Sequence, residues 1–443
     1  MSKRFPVTPA HPERICWGCD RYCAADSMMC GNGSVCFFWA GVQWAVSAGW
    51  WAAELLAGPR AGDSQHMVPS VAWHGLWFSL GTMPLFVAGF VFTAGPRWLH
   101  TIPIDTRQLR VGVGLFSAGW LLALPLAGVN ARAVAAMLLA AAIGQSLLVE
   151  RVLALLRTGR PGERVHVALI TIAMAAMTLT LLAAALALAT GCVEWLQPLA
   201  HAGLWCGPVL VFVAASHRML PFLGDGLWPA LDRGWPHWPL WLLVSLVPVQ
   251  AVCALLPNMA PLPPWLRFVG FGHLAVVCVA SAGLTLRWVG HPAMRTPMLR
   301  MLFGAALWWL LALLLLTAAA VPALSDESAR RLELAGLHAL GMGYLGGTLL
   351  TMATRVSAAH QGIARAIDGV ASVLYVVLQT AVLARLCALL WPQAASVWLP
   401  AAAVAWSFVT AVWLLRHGRW LGQPPRVRSR LSQSPIIAAI EKR

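Results

Sequence analysis

Long apolar stretches follow one another along this chain, separated by short segments that hold most of its charged residues. Twelve are long enough to matter, near 35–58, 69–95, 110–128, 131–156, 165–190, 196–217, 238–257, 264–289, 298–324, 333–354, 368–391 and 395–416. Each has roughly the 20 residues an α-helix needs to cross about 30 Å of hydrocarbon at about 1.5 Å per residue. The expected fold is an all-α integral membrane protein, about twelve transmembrane helices in one bundle. A short Cys-rich segment over residues 1–34 precedes the membrane domain at 35–417, and a basic tail fills 418–443.

Composition supports that reading. With 59% hydrophobic and 11% charged residues, and with 24 Trp, the chain could not leave its apolar surface to water. A net charge of +15 in a soluble protein would point to nucleic acid. Here the Lys and Arg residues sit in short loops and in the tail, where they set topology, so no nucleic-acid partner is expected. The first 34 residues are polar and lack the basic-then-apolar start of a cleaved signal peptide. No phosphate-binding glycine loop, nucleophile elbow or catalytic carboxylate pair is present, which leaves nucleotide-driven transport and hydrolysis without support.

Charge fixes the expected orientation. If both termini and the even-numbered loops share one side, that side holds all of the 31 Lys and Arg residues except Arg60, Arg132, Arg267, Arg330, Arg331 and Arg385. Both termini should then be cytoplasmic, with the even-numbered helices running from outside to inside.

This topology sorts the histidines by depth. His74, His201 and His338 each lie about five residues inside the start of an even-numbered apolar segment, and His273 lies somewhat deeper in the eighth. An ionisable side chain in a bilayer is costly and marks a functional site by default, so this outer layer of imidazoles points to a metal or haem centre held between helices. A second set, His100, His166, His217, His291 and His360, falls at the cytoplasmic ends. Two centres, one near each face, are geometrically open. A histidine at a helix end commonly anchors at the interface, and that plain role is assigned to His100, His166, His291 and His417. Gly203, Gly207, Gly341, Gly343, Gly346 and Gly347 lie near the outer trio, where small residues admit a neighbouring helix or a flat macrocycle. Glu54 lies near the outer end of the first helix, where it could relay protons, pair with Arg385 or simply reach the interface.

Three segments carry a family resemblance: Ser70 to Trp98, the run SHRMLPFLGD from Ser216, and Leu337 to Gly362. The last is the most specific, with His338-Ala339, Thr354-Arg355-Val356-Ser357 and His360-Gln361-Gly362. They resemble the NnrS family, polytopic proteobacterial proteins associated with haem, copper and the response to nitric oxide. The resemblance implies an inner-membrane location, haem b and a role in nitrosative stress or denitrification. One departure stands out: the family's second helix usually carries a His-x-His-Glu cluster, and here Leu76 and Trp77 occupy the second His and the Glu positions. Copper usually takes three or more side chains, whereas haem needs one or two axial ligands, so the departure weighs on copper more than on haem.

The N-terminal segment is separate chemistry. Cys16, Cys19, Cys23 and Cys30 resemble the start of a family of short proteobacterial proteins of no assigned function. Reduced on the cytoplasmic side, these thiols could hold zinc or an iron–sulfur cluster, or form a plain reduced tail. Cys192, Cys206, Cys253, Cys278 and Cys387 read as small apolar residues.

The expectation that follows is a haem-binding, or haem–copper, membrane protein that binds or reduces nitric oxide and takes electrons from quinol. His74, His201 and His338 would supply the outer ligands, and His217 and His360 an inner centre. Arg218 and Arg355 would sit on haem propionates or on lipid phosphate. A secondary transporter of a small metabolite or metal ion is the alternative from another class, though midplane charges and broken helices are few. A membrane sensor signalling through the cysteine segment is a third.

Overall fold

The computed structural model describes residues 33–58, 68–224, 237–256, 264–321, 324–360, 363 and 367–421. The cysteine segment, with Cys16, Cys19, Cys23 and Cys30, and the end of the basic tail lie outside the described residues. Twelve long helices and no strand are found among those described. They are α1 (Ser34–Ala57), α2 (Ser70–Leu99), α3 (Thr106–Leu126), α4 (Ala131–Thr158), α5 (Pro161–Thr190), α6 (Val193–Leu223), α7 (Trp238–Leu255), α8 (Pro264–Leu286), α9 (Pro297–Ala319), α10 (326–360), α11 (Gly369–Leu390) and α12 (Pro392–Leu421). Ten of the twelve are long and apolar enough to cross a membrane; the exceptions are α1 and α10. The end at which the even-numbered helices begin is called the upper end below.

Local chemistry sets several boundaries. The Asn130 side chain accepts from the Ala133 amide at 3.1 Å to start α4, and Asp368 accepts from Ala371 at 3.0 Å to start α11. The N-cap of α10 is Ser325, with Asp326 and Glu327 in the first turn, so this helix begins before its apolar segment. The sequence reading placed that start near residue 333, because charged residues at a membrane boundary read as loop. His338 therefore lies deeper along its own helix than His74 or His201 along theirs.

Enclosure differs greatly between helices. Within the most apolar window, 83% of α2 is buried inside the protein against 28% of α8, so α2 is central and α8 peripheral. Helix α1 packs on α2 and α12, α10 packs on α9, α11 and α12, and the upper part of α2 lies against that of α6. Consecutive α3, α4 and α5 pack side by side. A β-carbon on Gly144 of α4 would stand 2.5 Å from the Phe116 nitrogen and 2.6 Å from the Gly112 oxygen of α3. Such backbone-to-backbone approach is how helices associate in lipid, where burial of apolar surface gives no net drive.

The core is rich in tryptophan. Trp73, Trp77 and Trp120 form one cluster with centroids 5.3 to 5.9 Å apart. The Trp77 indole N–H donates to Gln43 Oε1 at 2.9 Å, and the Gln43 amide donates on to the Ser117 carbonyl at 3.3 Å. All these polar atoms are buried, and each bond removes a cost that hydrocarbon would impose.

A test of the α3–α4 contact follows from the geometry at Gly144. Gly144→Val should destabilise the detergent-solubilised protein by about 1–3 kcal/mol through overpacking. Gly162→Val, where no atom lies within 4 Å of the added carbon, should leave the unfolding midpoint nearly unchanged in the same thermal assay.

Candidate functional site

Three helices share one irregularity. In α2 the turns over Trp77–Thr82 are widened to π-helix, in α6 those over Trp205–Val209, and in α10 those over Ala339–Gly346. Each widened stretch begins within four residues after a histidine: His74, His201 and His338 respectively. A π turn shifts the side-chain register and exposes backbone groups, and it recurs at functional sites.

The three histidines line one cavity of about 160 Å³ in the upper half of the bundle. Helices α1, α2, α6, α10, α11 and α12 all contribute to its wall. Trp50, Trp51, Phe78 and Trp406 give it flat apolar surfaces, while Gly75 and Gly341 keep side chains out of the lining. Trp406 reaches its place because Gly346 has no β-carbon; one there would meet the indole at 2.5 Å. Arg385, from α11, also lines the cavity.

Two of the imidazoles are oriented by visible contacts. A carbonyl can only accept, so the 2.7 Å contact between His338 Nδ1 and the Leu334 oxygen requires a proton on Nδ1. In the neutral ring Nε2 then carries the lone pair, which is the arrangement of a metal-ligating histidine. His74 lies flat on Trp51, with centroids 4.4 Å apart and planes 15° from parallel.

The remaining candidates are placed elsewhere. His273 meets the Ser245 hydroxyl at 2.8 Å, at the break inside α7, away from the trio. Arg355 donates to the Met298 sulfur at 3.0 Å, and His360 ends α10 at the lower face. Arg218 is bound to Glu163 at 2.6 Å. Among the described residues Glu54 and Arg385 form no ion pair; α12 packs against both α1 and α11, and Arg385 lines the cavity instead.

His217 has unforeseen company. Its Nδ1 lies 2.9 Å from His166 Nε2, so one imidazole donates to the other, and both rings are almost wholly buried. His237, just before α7, completes the group with centroids 5.6 Å from His217 and 5.8 Å from His166. His166 is thus an interior partner and no interface anchor. His237 gives no signal in sequence, being a single histidine in a loop. The six described cysteines are free thiols, with Cys36 buried in the core.

Among the described residues, no three His, Cys, Asp or Glu side chains stand close enough together to hold one metal ion. In the lower group two ring nitrogens are turned on each other. In the upper group the three imidazoles line a cavity without forming a three-ligand cluster. Leu76 is fully buried, and the Trp77 ring is spent on the Gln43 bond and on stacking with Trp120.

A multi-pass helical membrane protein with imidazoles gathered around an interior cavity is the class this geometry defines. Comparison with known families gives the narrower statement: the family model described as NnrS protein matches residues 35–425, and the chain belongs to the NnrS family. Residues 1–37 match a second family, described as a protein of unknown function (DUF3079). No curated protein matches the chain.

The lower pair can be tested by double substitution. His166→Ala or His217→Ala should each cost about 1–3 kcal/mol, because each removes a buried imidazole and the hydrogen bond between the two rings. The double variant should cost less than the sum of the two, read from thermal unfolding as a coupling energy.

Proposed function

We propose that this NnrS-family protein binds haem b in the upper cavity and uses it to bind nitric oxide. The observation that carries the reading is the convergence of His74, His201 and His338, from three helices each widened next to its histidine, on one aromatic-walled cavity. The chemistry of the lining suits the group, and the cavity of about 160 Å³ would widen to admit a macrocycle. His338 offers a lone pair at Nε2, the walls are flat and apolar, and glycine lines the cavity where β-carbons would intrude. When bound, haem would supply an iron able to coordinate an imidazole and a diatomic gas, with His74, His201 and His338 the residues that would hold it.

The protein's own part is positioning and exclusion. Leu334 fixes the His338 tautomer and ring orientation through the Nδ1 bond. Trp51 holds the plane of His74, and the aromatic walls lower the local dielectric, which strengthens electrostatic interactions within the cavity. The donor set does not fit a three-ligand copper ion, and no role is assigned to copper. Reduction of nitric oxide with electrons from quinol, a setting in nitrosative stress or denitrification, and placement in a bacterial inner membrane with both termini cytoplasmic belong to the same proposal. The six exceptions to the charge bias, among 31 Lys and Arg, support the orientation. Zinc or an iron–sulfur cluster on Cys16, Cys19, Cys23 and Cys30 is a separate proposal, open to metal analysis of a variant lacking those thiols.

The test is spectroscopic. Protein purified from haem-replete cells should show b-type bands that shift when nitric oxide is added. His338→Ala should abolish or shift one haem signal, whereas His273→Ala should leave the spectrum unchanged. A colourless wild-type protein would contradict the haem reading and favour a transporter.

A further inference from the structure

The upper cavity carries a charge imbalance that the histidines do not explain. Its lining includes Arg385, three imidazoles and Gln197, and not one Asp or Glu. Arg385 lines the same cavity as His74 and His338. Among the described residues it has no ion pair and no hydrogen bond, and Glu54, the acidic residue expected beside it, is not its partner. Elsewhere among the described residues, Arg218 pairs with Glu163 and Arg416 with Asp368.

A half-buried guanidinium turned into a cavity of the bundle without a counter-charge is costly. It is stable there when an anion completes it. Guanidinium is planar and presents a fork of N–H donors that matches two oxygens on one atom. The amide of Gln197 can add a neutral donor, and an imidazole carrying its proton on the cavity side can add another. No carboxylate in the wall opposes negative charge.

We infer that the upper cavity is an anion site in which Arg385 binds a planar pair of oxygens, as in a carboxylate or a small oxyanion such as nitrite. The inference stands apart from the haem proposal, because it needs only the cation and the wall. Two sources offer this chemistry: a free oxyanion, or a carboxylate carried on a bound macrocycle.

The experiment uses the full chain in detergent at low salt, purified from haem-depleted cells, with nitrite and formate as probes and neutral urea as control. Binding is read by thermal stabilisation and calorimetry. Nitrite or formate should stabilise the wild type saturably and urea should not. Arg385→Gln should weaken binding by about tenfold or more, with Arg385→Lys recovering part of it. That result assigns a free oxyanion. If the free anions do not bind, haem and haem dimethyl ester are compared on the same protein. Weaker retention of haem by Arg385→Gln, together with equally weak retention of the ester by the wild type, assigns the macrocycle carboxylate. Equal behaviour of wild type and Arg385→Gln towards nitrite, formate and haem overturns the site. Should Arg385→Gln fail to give a monodisperse protein, the neutral Arg385→Met carries the comparison, and unchanged nitrite, formate and haem binding in it overturns the site equally.

Discussion

Hydrocarbon offers no hydrogen bonds, and this governs the architecture. Any polar side chain at membrane depth must be enclosed by protein and satisfied there, or its desolvation goes uncompensated. The helices carrying histidine at upper depth are accordingly interior ones, and α2 is the most enclosed of those measured. The lipid-facing helices α7 and α8 carry polar groups that meet each other, Ser245 with His273. The same constraint places Gln43 between Trp77 and Ser117, and Gln379 against the Trp308 indole.

Enclosure alone would give a solid bundle. The cavity exists because α2, α6 and α10 each abandon α-helical geometry just past a histidine. A π turn carries more residues per turn than the α-helix, so it redirects the following side chains. Large indoles then stand beside glycines such as Gly346, and the wall is built of flat surfaces rather than interleaved aliphatic ones. The three histidines stand just before these turns and line the same cavity.

The membrane spans were legible in the sequence because bilayer thickness dictates their length whatever packs around them. The upper trio was legible for a related reason: alternating helix direction converts position along the chain into depth. Other features were hidden. The widened turns have no periodicity signature, and nothing in Trp77–Thr82 or Ala339–Gly346 distinguishes a π turn from an α turn in sequence. The early start of α10 did have a signal, Ser325 followed by Asp326 and Glu327, but the membrane boundary masked it. The His166–His217 pair joins residues 51 apart, and only the packing of α5 on α6 brings them together. Arg385 reads in sequence as an outer-side charge open to pairing with Glu54, yet its place in the cavity wall depends on how α11 faces α10.

Anomalous diffraction at the iron edge, from crystals of protein grown in haem-replete cells, tests the central claim most directly. The account places one iron in the upper cavity, within bonding distance of an imidazole of His74, His201 or His338. Iron found instead at the His166–His217 pair, or its absence from the upper cavity in haem-replete crystals, would contradict it.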